Sequence, residues 1–282
     1  MKTTNPFLPL AALFLLVFGA KAALIATLGS PLPYSDQWML EGTLYRSYLS
    51  GSLDLGQLFA PLNEHRMVFS RLLLLGLFEV DGGWDPVMEM LVNALIHSAF
   101  VVGLVALLLR AVPPVAAPLV ALFSALCFAL PIGYENTLIG INAHFYLLLI
   151  FSSGSILLMV RSPAFSPAWL AGLLLAAASN FTLASGALTP VAVLVMVAAQ
   201  LWRGARPRTA REWAGAAALF ALSALLLMST IQLGSVVKAR GIADFLWAFR
   251  PLPACSSCTR PSPGSRSIGS RPPRPGRILP GG

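Results

Sequence analysis

VAAPLVALFSALCFAL, residues 115–130, carries no charged side chain and no polar face. A helix in a water-soluble bundle must turn a polar face to solvent, so this stretch reads as a membrane span. Apolar runs of similar character recur outward from it, at residues 7–28 and 87–109 before it and at 145–160, 168–181, 186–202 and 213–237 after it. Runs of this kind, on the order of twenty residues long, are the pattern of membrane-spanning helices. The expected fold is an all-α polytopic transmembrane bundle of about seven spans. Residues 145–160 and 168–181 are short for spans, which leaves their ends open. Pro113-Pro114, Ser162-Pro163 and Ser166-Pro167 mark turns between runs.

Composition agrees. Of 282 residues, 57% are hydrophobic and 11% charged, whereas a soluble domain carries about 25% charged residues. The net charge of +8 is not the footprint of nucleic-acid binding, because no basic stripe with interleaved aromatics is present. Arg260, Arg266, Arg271, Arg274 and Arg277 lie in a terminal tail, and most other basic residues flank apolar runs. Cys127 sits inside an apolar run and reads as a small packing residue. Cys255 and Cys258 form a CxxC pair without the second ligand pair or βαβ context that zinc or redox chemistry needs.

The first run follows Lys2. Ala20-Lys21-Ala22 resembles a signal-peptidase site, but apolar character resumes after it, which favours a retained helix. Residues 30–66 then form a polar loop, and residues 67–80 form an apolar segment too short to span comfortably. If 67–80 crossed, Arg161 and the cluster Arg203, Arg206, Arg208 and Arg211 would lie outside the cytoplasm. If it lies along the interface or re-enters, these residues fall inside with Lys2 and Arg110, as the positive-inside rule prefers. That choice places the amino terminus in the cytoplasm and gathers Asp36, Glu41, Asp54, Glu64, Asp81, Asp85 and Glu135 on the outer side.

Three outer segments carry candidate chemistry. Asp36, within Tyr34-Ser35-Asp36-Gln37-Trp38, is a carboxylate at a helix end beside apolar surface, a setting that suits a general base. The plain alternative is a helix cap for residues 37–49. Asn63-Glu64-His65-Arg66 offers amide, acid, imidazole and guanidinium, suited to sugar hydroxyls and, through Arg66, to a phosphate. Its alternative is a capped helix entry with Arg66 snorkelling to headgroups. A divalent cation on Glu64 and His65 would need further ligands, because adjacent side chains point apart on a helix, and no metal site is assigned. Glu135 and Asn136 occupy a polar break between two spans, either as substrate contacts or as a surface loop. Asn93 and His97, four apart, share a helix face and suit hydrogen bonds between helices. Asn180-Phe181-Thr182 matches a glycosylation sequon but lies at a helix end too close to the bilayer for an acceptor.

These segments resemble, in layout, the GT-C-type bacterial membrane glycosyltransferases that use lipid-linked sugars, among them the protein O-mannosyltransferases and the lipid A aminoarabinose transferases. The shared layout is a first span, an outer loop with an acid near its start, interfacial helices and then a bundle. It covers roughly residues 7–237. The resemblance implies transfer of a sugar from a polyprenyl-phosphate carrier to an acceptor at the periplasmic face of the bacterial inner membrane. It places the catalytic acid at Asp36, where many members have two adjacent acids and this chain has Ser35-Asp36-Gln37. The strings Asn63–Arg66 and Tyr134-Glu135-Asn136 through Tyr146 are also similar to a bacterial group with this layout. The partners so implied are a lipid-linked donor and membrane lipids, with Arg66, Lys238 and Arg240 available to the donor phosphate.

The remaining expectations concern the end of the chain and the rival functions. Residues 1–250 form the transmembrane domain. Residues 251–282, mostly Pro, Ser, Arg and Gly without Asp, Glu or Lys, cannot bury a core and read as disordered. That bias is what a GC-rich gene gives when read out of frame, and residues 241–250 look like the start of another element. The expectation is a frameshifted or truncated product of a longer parent, in which case the fragment can be inactive. Against the transferase stand a carrier or flippase, which predicts ionisable groups or broken helices at mid-membrane, and a non-enzymatic scaffold.

Overall fold

The computed structural model describes residues 7–231 and residue 242. The protein is all-α. Its helices are α1 (Phe7–Leu28), α2 (Gln37–Leu49), α3 (Leu55–Phe59), α4 (Val68–Asp81), α5 (Pro86–Ala111), α6 (Ala117–Ala129), α7 (Tyr134–Thr137), α8 (Ala143–Arg161), α9 (Pro167–Asn180), α10 (Leu188–Trp202) and α11 (Ala210–Ile231). Short 3₁₀ turns at Pro131–Gly133, Gly140–Asn142 and Ala184–Ala187 join several of them. The tail at 251–282, Lys238 and Arg240 lie outside the described residues.

Among the described residues, six stretches are long and apolar enough to cross a membrane: Leu8–Leu28, Pro86–Ala111, Ala117–Thr137, Gly140–Arg161, Ala184–Trp202 and Ala210–Thr230. The protein is an integral membrane protein. The seventh expected span, α9, is an apolar helix of 14 residues, about 21 Å long against a hydrocarbon core of about 30 Å.

Local sequence explains where the helices begin. Asp85 accepts hydrogen bonds from the N–H groups of Val87 and Met88 at 2.8 and 3.2 Å, with Pro86 at the first position of α5. Ser166 caps α9 through the Trp169 N–H at 3.3 Å, again ahead of a proline. Asp54 and Gln57 form a capping box on α3. Gly82, at φ 75, ends α4 in the left-handed conformation.

Two groups of spans pack side by side. Leu13 and Val17 of α1 meet Val101 and Val105 of α5, with α6 against both. Met159, Trp169, Val193, Val197, Leu201 and Leu219 join α8, α9, α10 and α11. Gly172 lets α9 close on Met159, where any Cβ would clash. The groups meet where α5 contacts α8. Cys127, expected to pack inside, is exposed on the outer surface of α6, where Leu119, Phe123 and Leu126 are exposed beside it.

The six spans and α9 alternate in direction, so their connections collect at two ends. One end carries the α5–α6, α8–α9 and α10–α11 turns with Arg110, Arg161, Arg203, Arg206, Arg208 and Arg211. The arginines here also bond to the chain. Arg206 is in a buried ion pair with Glu212 at 2.6 Å and donates to the Met159 and Val160 carbonyls at 2.8 and 3.0 Å. Arg208 donates to the Leu201 and Trp202 carbonyls at 2.9 and 2.7 Å. Two helix C-termini are thereby satisfied.

The other end carries most of the acidic residues and the layer α2–α4. Val68 at the start of α4 donates to the Phe181 carbonyl at the close of α9 at 2.9 Å, and the end of α4 leads directly into α5. Both ends of α4 therefore lie at this end of the bundle.

Candidate functional site at the acidic end

Helix α2 buries Gln37, Leu40, Glu41, Leu44 and Tyr45. The spacing is that of an amphipathic stripe, but two of its members are polar. They are satisfied by each other and by partners both near and far in sequence. Gln37 turns its carbonyl oxygen to the Tyr34 N–H at 3.1 Å, which aims its amide nitrogen at two carboxylates. That nitrogen donates to Glu41 Oε2 at 3.1 Å and to Glu89 Oε2 on α5 at 3.3 Å. Trp84 donates its indole N–H to Glu41 Oε2 at 2.7 Å, and the Tyr45 hydroxyl donates to Glu89 Oε1 at 2.9 Å. Below them, Asn93 donates to the Gly140 carbonyl at 2.5 Å.

Burial, reinforced by the neighbouring Glu89 charge, pushes the Glu41 carboxyl up to about 9, against the opposing hydrogen bonds from Gln37 and Trp84. Glu41, enclosed beside a second carboxylate, therefore favours its protonated form. Glu41 is fully enclosed, so it acts on its surroundings by tying α2 to α5 and by holding the Trp84 ring.

Trp84 also walls a cavity of about 650 Å³ on the outer side of α2. The other lining residues are Trp38, Gly42, Thr43, Arg46, Ser47, Ser50 and Ser52. The two indoles meet edge to face, 5.4 Å between centroids. Trp38 is fixed by its N–H to the Pro33 carbonyl at 2.9 Å. Two oriented aromatic surfaces, a ring of hydroxyls and one guanidinium suit a polar ligand that has apolar faces.

The sequence-predicted residues are placed as follows. Asp36 precedes α2 but makes no capping hydrogen bond. Its carboxylate is exposed and accepts only from Ser35 Oγ, at 3.4 Å. Trp38, two residues on, lines the cavity. Asn63 and Glu64 are the tip of a two-residue hairpin, with Leu62 and His65 paired through N–H to carbonyl bonds of 2.8 and 2.9 Å. Asn63 takes φ 52, a left-handed conformation that asparagine tolerates. His65 Nδ1 accepts from the Ala184 N–H at 3.3 Å, and Arg66 is half-buried. Arg71, not singled out in the sequence, is the guanidinium that holds this loop, donating to the Leu58 and Ala60 carbonyls at 2.7 and 2.6 Å.

Glu135 and Asn136 are exposed on α7. Tyr134 donates to Glu135 at 3.3 Å, and Asn136 accepts from Asn142 at 3.5 Å. Asp36, the Asn63–Arg66 hairpin and Glu135-Asn136 thus share one end of the molecule. Among the described residues no hydrogen bond joins the three segments, and no group of three His, Cys, Asp or Glu side chains converges as a metal ion requires.

A second polar cluster lies deeper. Lys21 of α1 donates to Thr137 Oγ1 at 2.9 Å. His97 stacks on Tyr146, 4.6 Å between centroids, with its buried Nδ1 unpartnered. Asn93 makes the interhelical bond expected of it and His97 packs by its ring. Asn180 of the sequon is buried and accepts from Thr230 at 3.3 Å.

Comparison with protein-family models, with curated proteins and with solved structures finds no match.

Proposed function

We propose that the protein is a GT-C-like glycosyltransferase that moves a sugar from a polyprenyl-phosphate carrier to an acceptor at the periplasmic face of a bacterial inner membrane. The observation that carries this reading is the aromatic, hydroxyl-lined cavity two residues from Asp36, at the bilayer-facing end of the bundle. An amphiphilic donor keeps its chain in lipid and presents its sugar at that height. Asp36 is the general base on the acceptor hydroxyl, being the exposed carboxylate two residues before Trp38 of the cavity. Arg66 meets the donor phosphate, while Asn63, Glu64, His65, Glu135 and Asn136 position the sugar. The amino terminus is cytoplasmic, which puts the arginine end inside in keeping with the charge rule.

The test is turnover in proteoliposomes with a polyprenyl-phosphate sugar and a hydroxyl acceptor. Wild-type chain releases polyprenyl phosphate, and Asp36→Asn lowers the rate by about 100-fold or more, the scale of general-base catalysis. An Asp36→Asn variant that turns over at the wild-type rate refutes the assignment of the base.

One observation favours a carrier instead. Lys21 and Glu89 are ionisable groups on spans with partners inside the protein, a pattern associated with transport paths. Transbilayer movement of the lipid-linked sugar, unchanged in Asp36→Asn and lost in Lys21→Met, would select that reading.

A further inference from the structure

Where the two groups of spans meet, α5 and α8 do not close on each other along their whole length. They leave a groove of about 800 Å³. Its α5 wall includes Phe100, Gly103 and Leu107, and its α8 wall Ile150, Gly154 and Leu157. Both sets follow the i, i+3, i+4, i+7 spacing of one helix face. The α8 wall continues one turn to Arg161, the last residue of that helix and, among the described residues, the only charged one lining the groove. Gly103 keeps the floor open, since a Cβ there would meet nothing within 4 Å.

We propose that this groove binds an anionic phospholipid of the leaflet at the arginine end, with one acyl chain in the groove and the phosphate on Arg161. The length is right. From residue 150 to residue 161 an α-helix rises about 16 Å, the depth of one leaflet of a hydrocarbon core of about 30 Å. The charge is right as well. Arg206, Arg208 and Arg211 spend their guanidinium groups on backbone carbonyls, while Arg161 is exposed and makes no hydrogen bond or ion pair among the described residues. It borders a second, smaller cavity of about 180 Å³ where Glu212 is already paired with Arg206 and the Ser162 hydroxyl gives a phosphate oxygen one further donor. The site lies at the opposite end from the proposed transfer chemistry and does not depend on it.

The experiment is native mass spectrometry of the full chain, delipidated and titrated with phosphatidylglycerol or with phosphatidylcholine. Wild-type protein retains one phosphatidylglycerol in preference to phosphatidylcholine. Arg161→Gln, an exposed change, lowers retention of phosphatidylglycerol about tenfold, the loss of one charge-assisted contact, and removes the preference over phosphatidylcholine. Gly103→Phe fills the groove and abolishes retention of both lipids. Equal retention of the two lipids by wild-type chain, or retention unchanged in both variants, overturns the proposal.

Discussion

Glu41 on α2 and Glu89 on α5 face one amide nitrogen, that of Gln37, at 3.1 and 3.3 Å. The contact fastens the outer layer to the first group of spans. It also orients Trp84, the shared wall of the cavity, through its bond to Glu41 at 2.7 Å.

A pH dependence follows. The Glu41 carboxyl is raised from 4.5 to about 9 in the folded protein, so the folded state holds a proton that the unfolded chain releases. Its stabilising contribution is complete below pH 4.5 and is lost as pH rises toward 9. The loss is at most about 1.4 kcal/mol per pH unit. Glu41→Gln keeps the acceptor for Trp84 and removes the titration. Thermal unfolding of the wild type in detergent should fall relative to Glu41→Gln between neutral pH and pH 9, and parallel curves would show that the pair does not store a proton.

Gly140 lies against this pair. A Cβ there would land on the Glu89 carboxylate and close to the Gln37 amide. Gly140→Ala should destabilise by about 1–3 kcal/mol, the cost of overpacking. Gly103→Ala, facing open space, should stay within about 0.5 kcal/mol. Comparing their denaturation midpoints checks the contrast.

Arg206 and Glu212 form the buried ion pair at the arginine end. Arg206→Ala leaves a buried carboxylate without its counter-ion and the Met159 carbonyl unpaired, and should cost about 3–5 kcal/mol. The double variant Arg206→Met with Glu212→Leu should recover much of that. If the double variant is as unstable as the single, the ion pair is not the source of the loss.

Sidedness can be read by cysteine labelling in a background without the three native cysteines. Tyr34→Cys and Ala205→Cys are both exposed positions at opposite ends. With an impermeant maleimide on intact spheroplasts, position 34 should label and position 205 should label only after permeabilisation.

The fold was largely legible because membrane helices announce themselves by local composition. Residues 115–130 alone exclude a soluble bundle, and the charge rule set 67–80 apart as a segment expected not to cross. The count of spans was less legible, because α9 is apolar but only 14 residues long. The site was legible at its surface and hidden beneath it. Asp36 and the hairpin at Asn63 stand out as polar residues at element ends. Glu41 does not, because its partners Glu89 and Trp84 come from elements more than forty residues away. One local clue existed: Gln37 and Glu41 sit in the apolar stripe of α2, where an unpartnered carboxylate would be costly. Arg206, Arg208 and Arg211 were read as topology signals, and only the structure shows the carbonyls they satisfy.

The central claim, that the outer cavity holds the donor sugar while Asp36 performs the chemistry, is tested most directly by steady-state turnover of Trp38→Ala beside Asp36→Asn. Loss of one aromatic wall should raise KM about tenfold, equivalent to about 1.4 kcal/mol of binding, with kcat little changed, whereas Asp36→Asn should lower kcat and leave KM near wild type. A Trp38→Ala variant with wild-type KM and kcat would contradict the account, because the cavity would then not be where the sugar binds.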